Sequence, residues 1–368
     1  MSPRHLRRLS NESGFSLVEM LISTAIMLAV TGAIFTLMNP AQGNAQAQPE
    51  VVDIQQRMRV GSDALFKDLI IAGAGPYQGP VTGSLVNFFA SILPRRTGDL
   101  AADPTTGAGS FTTDKITLTY IPNSYSQTTL SDAMPSQSAE LKVTNQPNCP
   151  AAQALCGFTA GMDVIIFDTS GNYDTFTITE VQDAAAHLQH RGQDLNYSYA
   201  TGASVTQVVS DTFYLNSATN QLMRYDGHAN ETPLVDNVVA LRFDYFGDTA
   251  SPTQPKPPLG VANCLYDAAG NFVPRPTLAA TDGSLAALTA AMLTDGPYCG
   301  TGDNQFDVDL LRIRKVKVTL RVQAASASLR GNDPVRFVNR GTAVGGDRYV
   351  PDYQTQFEVS PRNLNLTR

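Results

Sequence analysis

The spacing of apolar positions changes character along the chain. Residues 13–27, SGFSLVEMLISTAIM, pass from a short polar lead into an apolar run, and residues 20–38 continue it for 19 positions without a charge. As a helix rising 1.5 Å per residue, that run spans roughly 28 Å, the thickness of a hydrocarbon core. Pro40, Gly43 and Pro49 then predict a break or a loosening. A second helix is expected to restart at Pro49, with Val51, Ile54, Met58, Leu65 and Leu69 near one face. Glu50 and Asp53 fall in its first turns, and AGAGP stops it.

Beyond that point the period is two, or the runs are short and bounded by turn residues, and both patterns predict strands. They are DKITLTYI (114–121), DVIIFD (163–168), DTFTITEV (174–181), SVTQVV (204–209), DTFYLN (211–216), QLMRYD (221–226), VDNVVALRFDYF (235–246) and LRIRKVKVTLRVQ (311–323). In the last, Leu311 and Ile313 share one parity while Val316, Val318, Leu320 and Val322 share the other, so a β-bulge is expected near Arg314 and Lys315. Between the last two strands lies an insertion at about 247–310. It opens on the loop GDTASPTQPKPPLG and includes SLAALTAAML (284–293), which reads as a short helix. PKPP alone is too little to specify a polyproline ligand. The fold class is α+β, with a long N-terminal helix packed on a β-rich region.

Composition supports this: 28 Gly and 22 Pro in 368 residues favour turns over long helices, and 42% hydrophobic content excludes a disordered chain. The net charge of -7 is unevenly spread, with residues 310–368 at +7 and residues 15–309 at -16. Because the basic residues lie within a predicted core strand, pairing with the acidic body is favoured over an outside partner, and nucleic acid is not expected as one. Cys149 and Cys156 form one local set and Cys264 and Cys299 another; neither has zinc-knuckle spacing, and loop-closing disulfides imply an oxidising compartment.

Nothing in the sequence points to catalysis. G-x-S-x-G, H-E-x-x-H and Walker A patterns are missing, and GAGPYQG follows a helix instead of leading from a strand into one, which argues against a dinucleotide site. His187 and His190 have a spacing that suits one helical face but no third ligand nearby, so a solvated loop is the better reading. No cofactor is expected. Calcium is the one candidate, through two clusters of oxygen donors around turns: Asp168 with Asn172 and Asp174, and Asp303 with Asp307 and Asp309. Ordinary β-turns have the same composition.

The N-terminal lead, residues 1–14, carries Arg4, Arg7, Arg8 and Glu12, and its net positive charge favours a cytoplasmic location with everything after the apolar run outside. AQA at 45–47 offers a signal-peptide cleavage site before Gln48, but it lies well past the apolar run, which is itself long for a signal peptide. SGFSLVEMLIS instead resembles the processing site of type IV prepilins and type II secretion pseudopilins. The resemblance implies that Gly14 ends a leader, that prepilin peptidase cuts before Phe15, and that Phe15 is then N-methylated. An unpaired carboxylate inside a bilayer costs about 3 kcal/mol. The resemblance gives Glu19 a partner, the N-terminal amine of a neighbouring subunit, and so a role in axial register. Ala25, Ala29 and Ala33 form a small-residue stripe with Gly32 beside it that allows close helix packing, while Ser23, Thr24, Thr31 and Thr36 dilute the hydrophobicity.

Further blocks, LFKDLIIAGAG, LVDNVVALRFDYFGD, IRKVKVTLRVQ and FEVSPRNLNL, are similar to parts of PilW-type minor pilins, relatives of GspJ-type pseudopilins. The expected organisation is a leader at 1–14, a transmembrane assembly helix at 15–38, a linker and amphipathic helix at 39–75, and a periplasmic β-rich head at 76–368. The implied function is a non-enzymatic subunit that primes pilus assembly, with the tip as a place it can remain. Its implied partners are other minor and major pilins, prepilin peptidase and the inner membrane. The rivals are a GspJ-like pseudopilin, a secreted or surface binding protein with an ordinary signal peptide, and a tip adhesin or DNA-uptake factor using the basic strand.

Overall fold

A computed structural model of the chain describes residues 14–75, 88–94, 112–122, 124–150, 152–227, 230–301, 305–343 and 349–365. The expectations for Arg4, Arg7, Arg8, Glu12 and Asp303 lie outside them. The chain divides into two compact units, Met1–Asp53 with Ala324–Pro351, and Ile54–Gln323 with Asp352–Arg368. One helix, α1 (Leu17–Ile71), supplies residues to both.

In the first unit, residues 17–37 of α1 are exposed on every side, and Leu17–Leu37 is long and apolar enough to cross a membrane. Its polar side chains are satisfied locally: Thr24 Oγ1 donates to the Met20 carbonyl at 2.8 Å and Thr36 Oγ1 to the Ala33 carbonyl at 2.8 Å. A hydroxyl that bonds back to its own helix exposes no unmet donor to lipid. Farther along, Glu50 Oε1 accepts the Ala325 N–H at 2.7 Å. In the 324–351 segment Leu329, Phe337 and Val350 are buried, and Phe337 meets Tyr349 edge-on with ring centroids 5.7 Å apart.

The break expected at Pro40, Gly43 and Pro49 does not occur, because α1 runs through all three. A proline removes its own N–H and crowds the carbonyl four residues back, which bends a helix without having to end it. The helix stops where the sequence predicted, at Gly73, whose φ of +73° a residue with a side chain rarely adopts.

In the second unit, α1 buries Ile54, Gly61, Leu65, Asp68 and Leu69 and leaves Val60, Asp63, Phe66 and Lys67 outside, one apolar stripe at helical spacing. The strands among the described residues are β1 (Ile92–Pro94), β2 (Lys115–Tyr120), β3 (Gln127–Thr129), β4 (Leu141–Lys142), β5 (Asp163–Phe167), β6 (Tyr173–Thr177), β7 (Glu180–Gln182), β8 (His187–Gln189), β9 (Ser204–Gln207), β10 (Val209–Asn216), β11 (Gln221–Tyr225), β12 (Glu231–Asp236), β13 (Val238–Asp248), β14 (Leu285–Leu288), β15 (Tyr298–Cys299), β16 (Phe306–Asp307), β17 (Ile313–Val322) and β18 (Tyr353–Val359). The sheets run β1-β2-β10-β11-β12 and β14-β13-β17-β18. Two smaller ones, β3-β9-β5-β6 and β4-β8-β7, share a core that includes Leu141, Val164, Ile166, Phe176, Leu188 and Val205, and β15 pairs with β16. An apolar N-terminal helix followed in sequence by a sheet-rich region is the expected α+β class.

The helix lies on both larger sheets. A Cβ at Gly61 would sit 3.0 Å from Leu320 Cδ2 on β17, 3.3 Å from Val235 Cγ2 on β12 and 3.6 Å from Leu222 Cδ2 on β11. The bulge expected near Arg314 is present: Phe246 faces Lys315 and Gly247 faces Ile313, which leaves Arg314 as the extra residue and reverses the side-chain parity.

The helix expected at 284–293 does not form. Leu285–Leu288 is strand β14, paired with β13, and the Leu293 N–H closes a single helical turn on the Thr289 carbonyl. The free edge of β13 outweighs the local helix propensity of an Ala-Leu run. Both local cysteine pairs are joined, Cys149 to Cys156 and Cys264 to Cys299.

Gly61→Leu is expected to destabilise the protein by about 1–3 kcal/mol, the usual cost of overpacking. Thermal melting of the detergent-solubilised chain should show a lower midpoint than wild type.

Candidate functional site

The N-terminal end of α1 is built by two side chains. Gly14, Phe15 and Ser16 are non-helical and exposed, and Leu17 is the first helical residue. Ser16 Oγ accepts the Val18 N–H at 3.3 Å, and Glu19 Oε2 accepts the Ser16 N–H at 2.9 Å. This reciprocal arrangement is a capping box, Ser-x-x-Glu, which satisfies two of the N–H groups that any helix start leaves without a helical partner. Glu19 therefore has an intramolecular bond as well as any partner across a subunit boundary. The Ser-x-x-Glu spacing in FSLVE is its local sequence signal.

Phe15 is 89% exposed at the foot of the helix. Ala25, Ala29, Gly32 and Ala33 share one exposed face, and nothing lies within 4 Å of a Cβ built on Gly32. That face is open for another helix to approach.

Residues 9–35 match the family model of the prokaryotic N-terminal methylation motif. The match supports a type IV pilin-like protein. No curated protein and no solved structure matches the chain. The motif and the apolar helix coincide, an arrangement compatible with membrane anchoring.

The remaining candidates have structural uses. Asp168 Oδ1 accepts from the Ser170 and Asn172 N–H groups at 2.9 and 3.1 Å, which is an Asx-type turn. Asp174 faces elsewhere: buried, it accepts from Asn196 Nδ2, the Asn196 and Tyr197 N–H groups and the Tyr199 hydroxyl at 2.8–3.1 Å. Burial pushes its carboxyl up, against the pull of those donors. Asp168 and Asp174 thus accept hydrogen bonds from different sets of donors.

Asp307 and Asp309 do come together, with Asp295, their carboxylate oxygens lying within 4.8 Å of one another. Two guanidinium groups already supply positive charge there. Arg312 Nε donates to Asp309 Oδ1, and Arg275 Nη2 lies 3.5 Å from both Asp309 Oδ2 and Asp295 Oδ1. Arg312 is 1% exposed, and it also donates to the carbonyls of Thr249, Ala250 and Pro276 at 2.7–3.1 Å. It fastens the start and middle of the insertion to β17, a role its place in a basic strand did not reveal.

Three cations of β17 are also engaged within the fold. Arg314 Nε lies 2.8 Å from Asp248 Oδ2, Lys315 Nζ lies 2.8 Å from Glu358 Oε2 and contacts Asp282, and Arg321 Nε lies 3.1 Å from Asp352 Oδ2. These contacts are the internal pairing favoured from the charge distribution.

His187 and His190 are neither on a helix nor in a solvated loop. His187 lies on β8, its Nδ1 3.0 Å from Glu140 Oε1. His190 is 4% exposed, with Nδ1 2.6 Å from the Gln193 carbonyl and Nε2 2.7 Å from the Ala139 carbonyl. Strand pairing of β8 with β7 and β4 sets these positions, and no helical face exists for the two rings to share.

Burial pushes Asp307 up to about 7; the Asp309 and Gly296 N–H groups oppose the rise, and the charges of Asp309 and Asp295 add to it. The fold thus favours the protonated carboxyl. Its contribution to stability is fully present below about pH 4, the unfolded value, and is lost as pH rises through about 7. Asp307→Ala should be less stable overall, by about 1–3 kcal/mol, because two buried N–H groups lose their acceptor. It should also lose the part of the pH dependence that Asp307 causes, read from melting midpoints between pH 4 and 8.

Proposed function

We propose that this protein is a minor pilin, a non-enzymatic subunit cleaved between Gly14 and Phe15, N-methylated on Phe15 and built into a type IV pilus by way of its N-terminal helix. The observation that carries the reading is the coincidence of the methylation motif at 9–35 with an apolar helix exposed on every side from residue 17 to 37. A helix of that kind needs either lipid or other helices around it, and assembly exchanges one for the other.

In this reading the subunit belongs to the complex that primes the fibre, a role that the resemblance to PilW-type minor pilins supports, and the tip is a place it can remain. Before assembly the chain crosses the inner membrane once, its sheet-rich region in the periplasm, where the two disulfides can form. Glu19 supplies the negative charge that meets the Phe15 amine of a neighbouring pilin, in a medium of low dielectric where opposite charges attract strongly.

Intact-mass analysis of the protein from cells with and without prepilin peptidase tests the processing. The expected result is a chain starting at methyl-Phe15 only when the peptidase is present, whereas a start at Gln48 would establish an ordinary signal peptide. Glu19→Ala is expected to leave the protein stable in the membrane yet absent from sheared pili, as measured by immunoblotting of the two fractions.

A further inference from the structure

One hydroxyl decides where α1 begins. If the helix reached one turn farther back, the Gly14 carbonyl would accept the Val18 N–H, four residues on. That N–H goes to Ser16 Oγ instead, the Ser16 N–H goes to Glu19 Oε2, and the first helical bond runs from the Met20 N–H to the Ser16 carbonyl at 3.1 Å. Gly14 and Phe15 remain in exposed, non-helical backbone, and no described group donates to the Gly14 carbonyl.

Hydrolysis between Gly14 and Phe15 needs that carbonyl. The oxygen of water adds to the Gly14 carbonyl carbon, the C–N bond to Phe15 breaks, and the proton passes to the new Phe15 amine, leaving a Gly14 carboxyl. A carbonyl inside a helical turn is hydrogen-bonded along the axis and flanked by the next turn, so it is poorly placed to enter a peptidase. The competition is real in this sequence, because Ser13 is the next residue upstream of a type that caps helices. Capping there would draw both residues of the scissile bond into the first turn.

We propose that Ser16 is a positioning residue for processing. By taking the Val18 N–H it holds the helix start beyond the Gly14–Phe15 bond, and Glu19 supports it from within the same chain before any neighbouring subunit is met. The inference rests on the processing reading above and adds to it a determinant of cleavage outside the scissile pair.

The test is a series at one position, with cleavage in peptidase-containing cells followed by pulse-chase and intact mass. Ser16→Ala and Ser16→Val are expected to be cut about five-fold more slowly, the change that the usual worth of an N-cap converts to. Ser16→Thr and Ser16→Asn, which keep a side-chain acceptor for the Val18 N–H despite their larger sizes, should stay within about two-fold of wild type. Equal rates for Ser16→Ala and wild type would overturn the proposal. So would an order that follows side-chain size, since the peptidase would then be reading the side chain directly. A wild-type chain left uncut at Gly14–Phe15 would instead bring down the processing reading, and this inference with it.

Discussion

Any helix leaves its first N–H groups without a helical partner, and the geometry of the N-terminal segment follows from that constraint. Ser16 and Glu19 meet it from within the chain, each accepting one backbone N–H of the first turn. A carboxylate at the mouth of an apolar helix thus has a local reason to be there, apart from any partner. The same pair determines which residues are helical and which, Gly14 and Phe15, are left extended beside them.

The helix that begins there changes its surroundings along its length. From residue 17 to 37 it is exposed on every side and mostly apolar; from Ile54 it carries a single buried stripe, closed tightly over β11, β12 and β17 at Gly61. A uniformly apolar surface suits lipid and other helices, whereas a stripe suits one sheet face. Residues 17–37 are thereby suited to lipid or to other helices, while residues 54–71 serve folding.

Charge follows a similar division. The basic C-terminal strand on an acidic chain gives an impression of a binding surface, but Arg312, Arg314, Lys315 and Arg321 each contact a carboxylate of the same unit. Buried arginine is tolerated only when its donors are met, and Arg312 meets them with Asp309 and a row of carbonyls from the insertion. The insertion is held against the start of β17 by that guanidinium, and the Cys264–Cys299 disulfide closes a loop within it.

The sequence by itself determined whatever depends on neighbours within a few positions. Those features are the apolar run and its length, the strand periods, the parity switch that required a bulge at Arg314, the stop at Gly73 and the methylation motif around Gly14, Phe15 and Glu19. The capping box was equally local and equally legible. Tertiary structure alone decided the rest. Leu285–Leu288 became a strand because β13 had a free edge, Asp168 and Asp174 separated into different networks because Asn196 and Tyr199 reached only the second, and His190 was buried because β8 paired on both sides. The physical reason is the same in each case. Propensity and period act along the chain and are worth tenths of a kcal/mol per residue, whereas an unmet sheet edge or a buried donor costs about 1–3 kcal/mol, and the partner that meets it is distant in sequence.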